Sequence, residues 1–238
     1  MIDVALIKQQ AIEGYPLECA WLVYGGQCSQ VKNIANDPSR EFKVSRADMA
    51  AATLGGLEAI IHSHPDYPDC PSASDMRGQE LSGVPWGIVA TDGVDATEIC
   101  WFGDQVEKQP LIGRGFRHGV TDCYALIRDY YKSELGIDLI NFHRDWDWWN
   151  NGGDLYRDGI KPAGFRVIDQ SEAKPGDMWI AQVRSPVPNH GGILLDNGLA
   201  LHHPSAKNPV DAAQLSRREP IERWLPYITI WLRHEYRD

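Results

Sequence analysis

The sequence predicts a mixed α/β and α+β protein made of two modules in tandem. Three observations lead there. Helical and strand periodicities alternate through the first hundred residues, as in an α/β layer. Charge is unevenly divided: residues 1–108 carry 7 Lys and Arg against 16 Asp and Glu, whereas 109–238 carry 16 against 17. A polar stretch ending in proline, 103–110, lies between the two halves. The 238-residue length suits two domains of ordinary size. We place them at 1–108 and 109–238.

The elements follow in order. Residues 3–11 read as a short amphipathic helix. Residues 47–54 read as a second, with Ser45 as N-cap and Gly55-Gly56 as its stop. The run 57–63, Leu-Glu-Ala-Ile-Ile-His-Ser, is apolar and partly β-branched, so it reads as a strand. A helix is expected over 74–81, with Ser72 and Asp75 suited to its N-terminus. Residues 86–91 read as a buried strand and 97–102 as the last strand of the module. In the second half a helix begins after Thr121 or Asp122, with Cys123, Leu126, Ile127, Tyr130 and Tyr131 on one side. Lys174-Pro175-Gly176-Asp177 is a turn opening a strand. Residues 189–195 form another strand, Asp196-Asn197-Gly198 is a hairpin turn, and 199–203 return from it. Between helix and strands lie Trp146, Trp148 and Trp149. They read as core or as a subsite wall from a short amphipathic helix; a glycan or stem-peptide platform and a partner contact are the alternatives.

Composition excludes some functions. The net charge is −10, and the acidic first module argues against nucleic-acid binding. No apolar run is long enough to span a bilayer, and Met1-Ile2-Asp3 lacks the basic start of a signal peptide. Five cysteines, an odd number, suggest reduced thiols in a cytoplasm. Cys19, Cys28 and Cys100 read as small buried hydrophobes; Cys70 stands nearest the first motif described next.

That motif is His62-Ser63-His64-Pro65 with Ser72 and Asp75. Side chains alternate along a strand, so His62 and His64 share a face. Two His and an Asp are three protein ligands for a catalytic zinc, with a fourth position left for water. The spacing, His-x-His, seven residues, Ser, two residues, Asp, resembles the JAB1/MPN/Mov34 (JAMM) metallopeptidases. The resemblance implies a mixed sheet with helices and a Zn2+ held by His62, His64 and Asp75. It implies Glu18, in a strand after the first helix, as general base, and Ser72 as an oxyanion-side donor.

The second motif starts at Cys123. The first turn of a helix favours a thiolate, the reactive form of cysteine. Asp122-Cys123, the Pro-Gly-Asp turn and His190-Gly191-Gly192-Ile193 resemble the NlpC/P60 cysteine peptidases. A papain-like fold is implied, with Cys123 as nucleophile, His190 as base, His202 as the orienting third residue and peptidoglycan stem peptides as substrate. By strand register His203 faces the other way from His202. The family's usual Tyr-x-Trp-Gly-Gly is here Phe116-Arg117-His118-Gly119-Val120. Phe116 therefore lacks a hydroxyl, and His118 is the candidate to replace what is lost.

The order of the two modules in so short a chain is similar to tail-tip assembly proteins of lambda-like phages. That resemblance implies other tail-tip proteins as partners, synthesis in the host cytoplasm and a final place at the virion tail tip. Two alternatives stand beside a two-headed peptidase: a structural assembly factor with partly vestigial sites, and a free bacterial isopeptidase acting through its JAMM half.

Overall fold

The computed structural model describes residues 2–204 and 206–237. It divides into two compact units, Met1–Glu107 and Lys108–Asp238. Mixed helix and sheet appear in both, as the sequence predicts.

In the first unit α1 (Val4–Gly14) leads into β1 (Ala20–Tyr24), β2 (Gln27–Val31), α2 (Arg46–Leu54), β3 (Leu57–Pro65), α3 (Ala73–Ser82), β4 (Trp86–Thr91) and β5 (Cys100–Phe102). Asp3 caps α1 by accepting from the Leu6 amide, and Ser45 caps α2 by accepting from that of Asp48. The strands order β2-β1-β3-β4-β5, antiparallel except for the β3–β4 pair. Strand alternation then divides β3. Ala59 and Ile61 pack with Ile7 and Ala11 of α1, Trp21 and Val23 of β1, and Val89 of β4. His62 and His64 take the opposite face. The last strand is shorter than expected: Asp92 and Asp95 organise a turn, Ala96 makes an isolated bridge to Thr91, and pairing resumes only at Cys100. Glu18 lies two residues ahead of β1 and not within a strand.

The second unit contains β6 (Gly115–Arg117), α4 (Cys123–Leu135), α5 (Leu155–Gly159), β7 (Phe165–Ile168), β8 (Met178–Ala181), β9 (His190–Leu195), β10 (Leu199–His202), β11 (Val210–Leu215), β12 (Arg217–Pro220) and β13 (Ile228–His234). Six strands make an antiparallel sheet, ordered β12-β10-β9-β8-β13-β7; β6 pairs with β11 separately. Leu126, Ile127 and Tyr131 of α4 form one core with Ile180, Ile193, Leu201 and Leu232 of the sheet. Burying each such side chain contributes roughly 1.5–3 kcal/mol. The β9–β10 turn, Asp196–Gly198, joins the paired Leu195 and Leu199, with Asn197 at φ 58, ψ 28 and Gly198 at φ 67 both left-handed. The expected tryptophan helix does not form. Asp147 at φ 61 and Gly152 at φ 86 leave the right-handed region, and residues 146–152 run as successive turns. Among the described residues no helix is long and apolar enough to cross a membrane.

Candidate active sites

The first site is built on the end of β3. Because His62 and His64 share a face, their Nε2 atoms come within 2.9 Å of each other. Asp75 arrives from the first turn of α3, its carboxylate oxygens 3.4 Å and 3.5 Å from the two Nε2 atoms. The three ligand atoms lie within 4.8 Å of one another, and all three residues are buried. His64 Nδ1 meets the Pro68 carbonyl at 3.0 Å, so it carries the proton and leaves Nε2 as a lone pair. Phe42 stacks on the His62 ring at 4.4 Å. Two imidazoles and a carboxylate closing on one point fit a divalent cation.

Electrostatics agree with that crowding. Burial pushes the His62 pKa down. Burial opposes charge on His64, but the hydrogen bond and charge of Asp75 raise its pKa overall. Burial alone would lift Asp75; the two imidazoles hold it well below the usual carboxylate range. Ser72 and Asp75 form a reciprocal capping box, the Ser72 hydroxyl donating to Asp75 Oδ2 at 2.7 Å. The Ser72 proton is thus engaged with a ligand carboxylate. Glu18 reaches the site through register. Ala20 pairs with His62, and the ladder runs one bond further, Ser63 N–H donating to the Cys19 carbonyl at 2.9 Å. Glu18 therefore falls beside His64. Burial raises its pKa to about 7.

The second site joins the start of α4 to β9 and β10. Asp122 caps α4, accepting from the Ala125 amide at 2.9 Å, from Gly119 at 2.7 Å and from the buried Arg144 guanidinium through both oxygens at 2.8–3.0 Å. This fixes Cys123 as the first residue of the helix. Cys123 and His190 line one cavity with Tyr156, Asn189 and the aromatic segment from Phe142 to Trp149. The glycines after His190 permit that closeness. A Cβ on Gly191 would stand 3.3 Å from the Tyr156 hydroxyl, and one on Gly192 would stand 2.6 Å from the Leu201 carbonyl, where backbone cannot yield.

His190 Nε2 meets His202 Nδ1 at 3.1 Å, and His202 Nε2 meets Glu219 Oε1 at 2.5 Å. His190 Nδ1 is buried without a partner. The two rings pack beside Trp224 at 4.7 Å and 4.6 Å. Burial there pushes His190 well below its ordinary pKa and His202 down to about 4, so both are neutral at neutral pH. His203 turns the other way. Its Nε2 meets the Arg114 carbonyl at 2.9 Å and its ring sits against Phe116.

The thiol differs from the expectation. Burial, then the Asp122 carboxylate, push the Cys123 pKa up to about 11. The helix terminus favours a thiolate, but the same terminus is capped by an anion, and the half-buried Cys123 sits in a cavity walled by aromatic side chains. Cys123 therefore rests as a thiol. Its alkylation by iodoacetamide, followed by mass spectrometry of its peptide, is expected to be slow at pH 7 and to climb steadily to pH 10. A rate that is flat from pH 6 upward would show a preformed thiolate–imidazolium pair instead.

Residues 4–102 match prokaryotic homologs of the JAB domain, and residues 113–228 match the NlpC/P60 family. Over 177 residues, 74% of this chain and 81% of that protein, the chain is 37% identical to tail tip assembly protein K of Escherichia phage lambda. The chain belongs to the tail tip assembly protein K family. It is also 35% identical over 206 residues to the protein of that name from Escherichia phage N15, covering 83% of this chain and 82% of the relative. Among solved structures, an NlpC/P60 family protein from Bacillus cereus aligns with 95% of this chain and 66% of its own, at 12% identity and a TM-score of 0.33.

Two functional candidates have no counterpart in the sequence reading. The Tyr156 hydroxyl lies 3.3 Å from the Cys123 sulfur. It comes from α5, 33 residues beyond the cysteine, with only a tyrosine in a turn-rich stretch as its signal. Glu219 is the other; its signal is an acidic residue among arginines on the strand beside β10. His118, the candidate replacement for the missing hydroxyl, bonds the Arg144 carbonyl at 3.0 Å and packs edge-on to Trp146. It ties down the segment over the cavity, and the hydroxyl nearest the Cys123 sulfur there is that of Tyr156.

Proposed function

We propose that this chain is a two-site peptidase of a phage tail tip. The C-terminal unit would hydrolyse peptide bonds of peptidoglycan stems, and the N-terminal unit would act as a zinc peptidase in processing or assembly. The observation that best supports the thiol site is that His190, which has a buried Nδ1 without a partner, lines the same cavity as Cys123. Of the nitrogens on His190 and His202, it alone is free to take a proton. With a neutral thiol and a neutral imidazole, His190 removes the proton as sulfur attacks the carbonyl carbon. The carbonyl oxygen gains the charge. First-turn N–H groups of α4 that Asp122 leaves uncapped, and the Tyr156 hydroxyl, would receive it. His190 then passes its proton to the leaving amine, and water releases the acyl group from sulfur.

In the N-terminal unit His62, His64 and Asp75 would hold the zinc. Bound there, zinc would polarise a carbonyl and acidify a water. Glu18 would hold a proton beside the three ligands, and the Ser72 hydroxyl would steady Asp75.

Digestion of purified peptidoglycan tests the assignment. The wild-type chain should release muropeptides in the presence of EDTA, and Cys123→Ala should not. Release abolished by EDTA but intact in Cys123→Ala would put the lytic function in the other unit. Tyr156→Phe should lower kcat by about 10²-fold, the typical loss on removing one oxyanion donor, and leave KM within about two-fold. A kcat near wild type would remove Tyr156 from the chemistry.

A further inference from the structure

We infer that Glu219 is a fourth member of the thiol relay, a positioning residue that fixes the tautomers of His202 and His190 from the neighbouring strand. The inference deepens the peptidase reading and rests on Cys123 and His190 as nucleophile and base. Register brings Glu219 into place. It pairs with Ala200 across β10 and β12, so it shares a face with His202, one diagonal step away. The carboxylate is largely enclosed. Its Oε1 receives His202 Nε2 at 2.5 Å and the Trp224 indole N–H at 2.9 Å, while Arg223 and Arg217 stand 3.3 Å and 3.5 Å from Oε2. Burial would raise its pKa, but Trp224 and His202 lower it overall, so it is ionised at neutral pH.

The consequence runs through the chain of hydrogen bonds. A carboxylate has no proton to give, so His202 must donate from Nε2. A neutral imidazole has one N–H; hence His202 Nδ1 is bare and accepts from His190 Nε2. His190 has then spent its only proton, and its Nδ1 is a buried bare lone pair on a ring that lines the Cys123 cavity. The proton acceptor on the ring that shares the Cys123 cavity is thus specified by a carboxylate two imidazoles away. Without an anion at that end the same two rings are satisfied equally well in the reverse sense, with the proton on His190 Nδ1 and no base for the thiol. Glu219 also anchors Trp224, the ring that packs against both imidazoles.

The experiment uses the full chain labelled with 15N-histidine. Long-range 15N–1H correlation spectra should show His202 and His190 as Nε2–H tautomers. In Glu219→Gln the amide can donate, His202 should shift toward the Nδ1–H form, and His190 should follow. The rate on a stem-peptide substrate at neutral pH should fall by at least about ten-fold, as expected for a wrong tautomer, with KM within about two-fold. Glu219→Asp should keep the wild-type tautomers and recover most of the rate. It also serves as the second probe should the Gln variant fail to fold. Wild-type tautomers in Glu219→Gln, or an Asp variant as impaired as the Gln variant, would overturn the proposal. If the wild-type chain shows no thiol-dependent hydrolysis, the peptidase reading falls, and the tautomer spectra alone still decide the role of Glu219.

Discussion

Cys123→Ala and His190→Ala are each expected to abolish hydrolysis of a stem-peptide substrate, by about 10³-fold or more, because residues acting as one unit fail together. His202→Ala should impair it by about 10–10²-fold. His190 keeps both nitrogens in that variant, but loses the acceptor at 3.1 Å that selects its tautomer, so its free nitrogen faces the thiol only part of the time. His203→Ala should be mild. Its ring meets the Arg114 and Pro204 carbonyls and the edge of Phe116, and so supports the wall behind the site rather than the relay. Initial rates for the four variants, with folding checked by circular dichroism, give the order. A strong defect in His203→Ala beside a near-normal His202→Ala would show that the solution register differs from the one described here by one residue.

What was legible in the sequence is local or periodic. A two-residue alternation placed His62 and His64 on one face of β3, and the same alternation separated His202 from His203. Caps and turns were equally readable: Ser45 at α2, Asp122 at the start of α4, Asn197-Gly198 at the hairpin. The unreadable parts depend on contacts between distant segments. Glu219 lies 17 residues from His202 and looks like a surface charge in Arg217-Arg218-Glu219-Pro220 until β12 is laid beside β10. Tyr156 comes from a segment 33 residues beyond the sulfur, and Gly191, a third segment, leaves room for its hydroxyl. The Cys123 thiol was read from the dipole of its helix, a local property. Burial in the cavity walled by the distant aromatic segment is not local, and together with the Asp122 charge, which Arg144 only partly offsets, it reverses the sign. The tryptophan segment failed as a helix for a related reason: its aromatic spacing suits one, but left-handed Asp147 and Gly152 turn the chain to lay Trp148 against Tyr156.

Replacing His62 and His64 together by alanine is expected to empty the N-terminal unit of metal. The purified wild-type chain should carry about one zinc, since three protein ligands and a water complete a tetrahedral shell. The double variant keeps only Asp75, already engaged by the Ser72 hydroxyl and amide, and a single carboxylate in that cap does not retain a transition ion. Its content should fall below about a tenth of the wild-type value by elemental analysis, because affinity depends on the full donor set. Glu18→Gln separates ligation from catalysis. The side chain is buried beside His64 and outside the cluster of three donors, so the amide should leave zinc content unchanged. It cannot accept a proton as a carboxylate does, so any peptidase activity of this unit should disappear. Thermal stability of Glu18→Gln should match or exceed wild type, because an amide is easier to bury than a carboxylate held at a raised pKa. Zinc retained by the His62→Ala, His64→Ala double variant would place the metal on other donors. Zinc lost in Glu18→Gln would make Glu18 a ligand and leave this unit without its proposed base.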